Sequence, residues 1–235
     1  MPATRPDHPS GLVVVFDVDD TLYLERDYVR SGLDSLDRLV SAHWGRRGFG
    51  RAAWRCFLAG HRGDLIDRGL AALGIRPGPG EVARLVTAYR EHRPRIALAP
   101  DAARALRRLS AAGATLAVVT DGPAASQEAK VRALGLDRAC ATVIVTDRYG
   151  PGFAKPHHRA FDEVMHRHEE RRWCYVADNP AKDFAAPRAL GWRTVRVRRP
   201  GGLHAHVPDQ GDVDVTVADL AMLDAVLGDP VGGRR

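Results

Sequence analysis

The sequence predicts an α/β chain: a doubly wound, largely parallel sheet with a small all-helical domain inserted after its first strand. Three observations carry that prediction. Six short, β-rich apolar runs recur along the 235 residues; helix-patterned segments separate them after residue 100; and residues 22–100 show helical patterning with no convincing strand. Alternating strands and helices bury a parallel sheet on both faces, whereas a strand-free stretch must fold as its own helical layer.

The first run, LVVVF at residues 12–16, is continuously apolar, as a strand covered on both faces should be. Residues 28–40, 51–59 and 80–92 follow with apolar side chains at helical spacing, broken by loops such as RPGPG at residues 76–80. Beyond residue 100 come the runs TLAVVT (115–120), ATVIVT (141–146), WCYVA (173–177), RTVRV (193–197) and VDVTV (213–217). Helical patterns at 101–112, 123–134, 157–169 and 180–190 alternate with them. Pro123, Pro156 and Pro180 stand shortly after strand ends, where a first-turn proline forfeits no helical hydrogen bond. Gly113, Gly135 and Gly191 lie just past helical patterns, as C-terminal stops do. The reading is therefore one core formed by residues 1–21 and 101–235, with residues 22–100 inserted. The C-terminal GDPVGGRR looks like a frayed tail.

Composition narrows the classes of function. Hydrophobic residues make up 45% and charged residues 27%, which excludes extended disorder and a coiled-coil rod. No apolar run approaches the roughly 18 residues of a membrane span, and residues 1–10 lack the apolar stretch of a signal peptide. The expectation is a cytoplasmic protein with no membrane partner. Cys56, Cys140 and Cys174 are far apart with no C-x-x-C spacing, so neither a disulfide framework nor a zinc knuckle is expected. Residues 22–100 hold 14 arginines, no lysine and eight acidic residues, which accounts for the whole formal charge of +6. No helix-turn-helix, zinc-finger or RNP-like pattern accompanies that charge, so no nucleic acid partner is expected. Of 35 basic residues only Lys130, Lys155 and Lys182 are lysine, and each marks a place where a compact ammonium is wanted rather than a planar fork. Trp44, Phe49, Trp54 and Phe57 read as core of the insertion, and Arg26, Arg55 and Arg62 as its candidates for substrate contact.

The chemistry concentrates at strand ends. Asp17, Asp19 and Asp20 crowd the C-terminal mouth of the first strand, the place where open α/β sheets bind ligands. Carboxylates this close repel one another unless a cation compensates, and oxygen-only donors point to Mg²⁺. Thr120, Asp121 and Gly122 close the second strand and open a helix, offering a hydroxyl and free amides to an anion. Lys155 lies between the third strand and its helix, and Asp178, Asn179 and Asp183 follow the fourth strand.

The stretches FDVDDT, VVTDG, AKP and ADNPAKD occur in order and resemble the four motifs of the haloacid dehalogenase-like (HAD) hydrolase superfamily, in its phosphatase branch. The resemblance implies a Rossmann-like sheet with a helical cap inserted after the first motif. It implies Asp17 as a nucleophile that becomes phospho-aspartate and Asp19 as general acid and then base, which requires a raised Asp19 pKa. Mg²⁺ would be held by Asp17, the Asp19 carbonyl and Asp178. Thr120, Asp121, Gly122 and Lys155 would bind the phosphoryl group, with Asn179 and Asp183 supporting from behind. Lys130 rivals Lys155 for the lysine role; the position of Lys155 before proline favours it. The implied activity is hydrolysis of a small phosphorylated metabolite, a sugar phosphate first, with a nucleotide or a phosphoglycolate-like ester as further options, by a monomer or homodimer. An acid at position 19 argues against dehalogenation, because halide leaves without a proton. The alternatives are a non-catalytic binding module and a phospho-acceptor domain.

Overall fold

The computed structural model describes residues 11–168 and 172–228. Most of the C-terminal tail and the end of the helix expected at 157–169 lie outside the described residues. Six strands, β1 (Leu12–Phe16), β2 (Thr115–Thr120), β3 (Thr142–Val145), β4 (Arg172–Ala177), β5 (Arg193–Val197) and β6 (Val215–Val217), form one sheet in the order β3-β2-β1-β4-β5-β6. Every neighbouring pair is parallel. The chain winds outward from β1 in one direction and then returns to lay β4 on its other side. The direction of winding therefore reverses between β1 and β4, and a crevice opens there at the carboxyl ends of the strands.

Alternation along β1 shows why its run is uninterrupted. Leu12, Val14 and Phe16 face a core with Leu106, Leu109, Val131 and Val176, while Val13 and Val15 face a second core with Val119, Phe161, Tyr175 and Trp192. Burying each such side chain stabilises by about 1.5–3 kcal/mol. On the first face lie α5 (Pro100–Ala111) and α6 (Ala124–Leu134), and on the second α8 (Arg159–Arg167). The short α7 (Leu136–Ala139), α9 (Ala185–Ala189) and α10 (Leu223–Gly228) complete the helices that pack on the sheet.

Between β1 and α5 run α1 (Glu25–Trp44), α2 (Phe49–Leu58), α3 (Leu65–Ala72) and α4 (Glu81–Glu91). Val29, Leu33, Leu36 and Val40, at helical spacing on α1, join Phe49, Phe57, Leu70 and Leu85 in a core separate from those of the sheet. Trp44 and Trp54 pack against it. The sequence reading missed α3, whose interior holds Gly69. That glycine is a packing requirement: a Cβ there would lie 2.7 Å from Phe49 Cε2 and 3.0 Å from Ala53 Cβ. The helical segment's two linkers meet where the Ala99 amide donates to the Leu22 carbonyl at 2.9 Å. Buried Arg199 clamps both, donating to the Thr21 carbonyl at 2.8 Å and to both Asp101 carboxylate oxygens at 2.8 Å.

Several boundaries shift, among them the last run, which is strand only at Val215–Val217. The helix expected at 180–190 is confined to Ala185–Ala189, because Asp183 accepts the Asn179 amide at 3.0 Å and Asn179 accepts the Ala181 amide at 3.0 Å, bending residues 179–183 into a turn. The third run ends at Val145 and gives way to a 3₁₀ turn, Thr146–Tyr149. Among the described residues no helix is long and apolar enough to cross a membrane.

Candidate active site

Chain geometry after β1 sets out the acids. The Asp17 amide continues the ladder by donating to the Val176 carbonyl at 2.9 Å, which holds Asp17 at the crevice between β1 and β4. Asp20 then adopts a left-handed backbone with φ 52°, a conformation that aspartate tolerates better than most residues. Its carboxylate accepts the Glu25 amide at 2.9 Å and the Leu203 amide at 2.7 Å, so Asp20 shapes the turn and anchors the loop after β5.

Lys155 is the centre of one cluster. Its fully buried ammonium donates to Asp17 Oδ1 at 2.6 Å and the Tyr175 hydroxyl at 3.0 Å, and lies 2.7 Å from Asp183 Oδ1. All three N–H donors thus have a nearby acceptor. Asp17, Asp178 and Asp183 bring carboxylate oxygens within 4.8 Å of one another. Burial pushes the Asp17 carboxyl up to about 6, with Lys155 opposing and Asp183 adding to the rise. Asp178 is pushed up to about 9 by burial and then by Asp17 and Asp183. Its Oδ2 is buried without a hydrogen-bond partner. Such a group is what a hard cation with oxygen ligands would satisfy. Asp183 therefore stands among the candidate ligands rather than behind them.

Lys130 is the centre of a second cluster. From α6 its ammonium donates to Asp19 Oδ2 at 2.7 Å and Oδ1 at 2.8 Å, while Gln127 Nε2 donates to Asp19 Oδ2 at 3.1 Å and the Tyr23 hydroxyl donates to Oδ1. Burial alone would raise the Asp19 carboxyl, but Lys130, joined by the Tyr23 hydroxyl and the Gln127 amide, outweighs it and holds the group below the usual carboxylate range. This is the state of the ligand-free site, and it is set by a lysine brought from 111 residues away; the raised value that the resemblance implies belongs to the site with substrate bound. The two rival lysines hold different posts: Lys155 sits on Asp17 and Lys130 on Asp19.

Around the end of β2, Thr120 is almost fully buried and donates to Gln127 Oε1 at 3.1 Å. Its hydroxyl orients Gln127, and through it Asp19, rather than facing the crevice. Asp121 accepts from the Thr146 hydroxyl at 2.7 Å, the Lys155 amide at 3.1 Å and the Lys182 ammonium at 2.9 Å. Burial opposes its ionisation, but Lys155 and Lys182 hold its carboxyl below the ordinary range. Gly122, at φ 125°, is required where it stands: a Cβ would lie 2.8 Å from Gln127 Nε2. Asn179 Nδ2 lies 3.2 Å from His204 Nε2, and buried Arg196 fixes that loop by donating to the His204 carbonyl at 2.7 Å and the Asp178 carbonyl at 3.0 Å.

A cavity of about 290 Å³ joins these clusters. Asp17, Asp19, Asp121, Gly122, Asp178 and Asn179 line it, whereas Thr120 and Lys155 lie behind its wall. The helical segment contributes Glu25, Tyr28, Tyr89 and Arg90. None of Arg26, Arg55 and Arg62 lines it; Arg62 instead donates to the Phe57 and His61 carbonyls. Sequence reasoning missed Gln127, Tyr175 and His204, which carry no signal of their own; the scarcity of lysine marked Lys182 without giving it a role, and the structure places it on Asp121.

A profile of the haloacid dehalogenase-like hydrolases matches residues 12–191. The glyceraldehyde 3-phosphate phosphatase of Methanocaldococcus jannaschii is 27% identical over 89% of this chain and 94% of that protein. The (S)-2-haloacid dehalogenase 4A of Burkholderia cepacia is 30% identical, over 50% of this chain and 49% of that one. Among solved structures, the HAD hydrolase YfnB of Bacillus subtilis, described as bound to magnesium, superposes with a TM-score of 0.65 at 20% identity, covering 94% of this chain and all of that one.

Proposed function

The chain belongs to the haloacid dehalogenase-like hydrolases, and within that family we propose that it is a cytoplasmic Mg²⁺-dependent phosphatase of small phosphomonoesters, sugar phosphates first, acting through a phospho-aspartate at Asp17. One observation carries the reading: a second carboxylate, Asp19, faces the same cavity two residues after Asp17. An ester oxygen needs a proton to leave and a halide does not, so that placement serves phosphate chemistry.

The residues fit the ion. Asp17, Asp178 and Asp183, with the Asp19 carbonyl that the sequence resemblance implies, form an all-oxygen set, and the unpartnered Asp178 Oδ2 is the group most in need of a cation. When bound, the ion would offset the repulsion between a carboxylate and an approaching phosphoryl group.

The chain's own residues divide the remaining work. Lys155 fixes the Asp17 carboxylate so that one oxygen attacks phosphorus; the new O–P bond forms as the ester P–O bond breaks, and the leaving oxygen takes a proton from Asp19. In the second half Asp19 removes a proton from water, whose oxygen attacks the acyl phosphate and frees Asp17 and inorganic phosphate. Lys182 and the amides near Gly122 face the phosphoryl oxygens. A phosphoryl group arriving beside Lys130 competes with Asp19 for that ammonium, which loosens the hold on Asp19 and raises its affinity for a proton.

The cavity lies at the small end of the about 300–1,000 Å³ usual for ligand sites, which supports a metabolite of a few carbons over a nucleotide. The activity for which the archaeal relative is named supports a sugar phosphate. Dehalogenation is the second reading, favoured by the half-length match to the Burkholderia enzyme. The discriminating experiment incubates the protein with Mg²⁺ and either glyceraldehyde 3-phosphate or 2-chloropropionate. Repeated phosphate release that Asp17→Asn abolishes is expected; chloride release instead would overturn the reading, and a single stoichiometric phosphorylation would make the protein a phospho-acceptor.

A further inference from the structure

The helical segment and the sheet are joined by more than the two linkers. The loop after β5, residues 198–207, reaches back to the helical segment and touches it repeatedly. Gly201, at φ 85°, runs against the start of α1: a Cβ there would lie 3.6 Å from Arg26 Nη1 and 3.7 Å from Leu24 Cδ1. The Leu203 amide donates at 2.7 Å to the Asp20 carboxylate, whose other oxygen accepts the Glu25 amide at 2.9 Å, so one buried carboxylate pins the loop to the first residue of α1. The half-buried Leu203 side chain packs against the core of the helical segment. Every other residue of that core lies between Val29 and Tyr89, and among the described residues Leu203 alone joins it from the sheet domain. It stands in the wall of a cavity of about 350 Å³ with Val29, Leu33, Phe57 and Ile66.

The far side of the same loop is fixed to the acids. Buried Arg196 donates to the Asp178 carbonyl at 3.0 Å and to the carbonyls of His204 and Val207 at 2.7 and 2.8 Å, and His204 Nε2 lies 3.2 Å from Asn179 Nδ2. The planar guanidinium holds these backbone groups in one frame. Leu203 and His204 are neighbours in sequence, yet the first lines the cavity of the helical segment and the second the cavity of the site. Two bodies with separate cores move relative to each other unless a contact between them fixes their orientation. Where this leucine is seated therefore sets where α1 lies over the acids, and with it the place of Glu25 and Tyr28 in the wall of the site.

We propose that Leu203 is a positioning residue: a plug carried by the sheet domain that seats the helical segment over the site in one orientation. The inference goes beyond the phosphatase reading and does not depend on it, because the contact is made without any ester. Without the plug the segment swings on its two linkers and the wall of the site loses its place, while the helices themselves stay folded.

The test compares Leu203→Ala with Leu203→Met, which nearly conserves volume, and with Leu85→Ala, the same truncation in the same core but beside Leu39 and Trp44 at the other end of α1. Hydrogen exchange resolved to single residues reads the amides of Glu25 and Ala99, whose bonds to Asp20 and to the Leu22 carbonyl close the junction. Leu203→Ala should speed exchange at both by about tenfold or more and leave the interiors of α1 and α2 as protected as in the wild type; Leu203→Met should restore wild-type exchange. Leu85→Ala should speed exchange inside the helical segment and leave the junction unchanged. With p-nitrophenyl phosphate and Mg²⁺, KM should rise about 5- to 10-fold in Leu203→Ala and stay near wild type in Leu203→Met. Equal acceleration of the junction by Leu203→Ala and Leu85→Ala, acceleration spread through α1 and α2, an unchanged junction in Leu203→Ala, or an opened junction with KM and kcat unchanged would each overturn the proposal. If no ester is turned over, the phosphatase reading fails by itself, and exchange at the junction alone decides the plug.

Discussion

Replacing Lys130 with methionine removes the ammonium and keeps a chain of similar length, which isolates the charge that holds Asp19. Lys130 is 4% exposed and Asp19 20%, and the ammonium reaches both carboxylate oxygens, so the pair is largely shielded from water. Breaking a fully buried pair by removing one partner destabilises by about 3–5 kcal/mol. Asp19 keeps some solvent, the Gln127 amide at 3.1 Å and the Tyr23 hydroxyl, which brings the expected loss at pH 7 to about 2–4 kcal/mol. In the wild type the folded carboxyl lies below its unfolded value, so its stabilisation is present above about pH 4 and is lost as pH falls through the folded value. In the variant burial is no longer opposed by Lys130, and the carboxyl rises above the unfolded value. The variant then loses stability as pH increases from about 4. Urea unfolding of both proteins at pH 7 and pH 4 should show the larger gap at pH 7. A gap below about 0.5 kcal/mol at pH 7, or the same gap at both pH values, would refute the assignment of Lys130 as the group that sets the charge of Asp19.

The clamp on the linkers gives a second expectation: Asp101→Asn should destabilise by about 2–4 kcal/mol in urea, because it removes one side of a shielded bidentate pair with Arg199. Arg199 holds the Asp101 carboxyl below its usual range against burial, so this stabilisation is complete above about pH 4 and fades below it; equal losses at pH 7 and pH 2.5 would contradict the pairing. Mg²⁺ should raise the melting temperature, and its apparent affinity should climb as pH rises from about 6 to about 9, the range in which Asp17 and Asp178 lose their protons. A flat affinity across that range, or an unchanged shift in Asp178→Asn, would count against these ligands. Lys155→Arg should not restore activity lost in Lys155→Met, since a planar fork cannot replace an ammonium enclosed by Asp17, Asp183 and Tyr175; phosphate release above a tenth of wild type in the arginine variant would show the enclosure to be looser than described.

Much of the fold could be read from local pattern because the physics there is local. LVVVF must be covered on both faces, and the crevice where its last residue hands over to Asp17 follows from parallel winding. The scarcity of lysine carried more information than its three instances suggest: each ammonium meets a different carboxylate of the site. Which lysine meets which acid was not legible, since the partners lie 111, 138 and 61 residues apart and only tertiary packing joins them. The hold of Lys130 on Asp19 in the ligand-free site was hidden for the same reason. α3 escaped notice because its Gly69 reads as a helix breaker until Phe49 is seen against it. Arg90 was passed over because nothing in its local sequence separates it from the other arginines of the helical segment, whereas Thr120, placed correctly at its strand end, turns its hydroxyl to Gln127.

The most direct measurement of the central claim is mass spectrometry of protein quenched in acid during turnover of a phosphomonoester with Mg²⁺, followed by borohydride trapping of any acyl phosphate. Conversion confined to Asp17, absent when the ester or the metal is withheld, is the predicted result. Turnover with an unmodified Asp17, or modification at another residue, would contradict it.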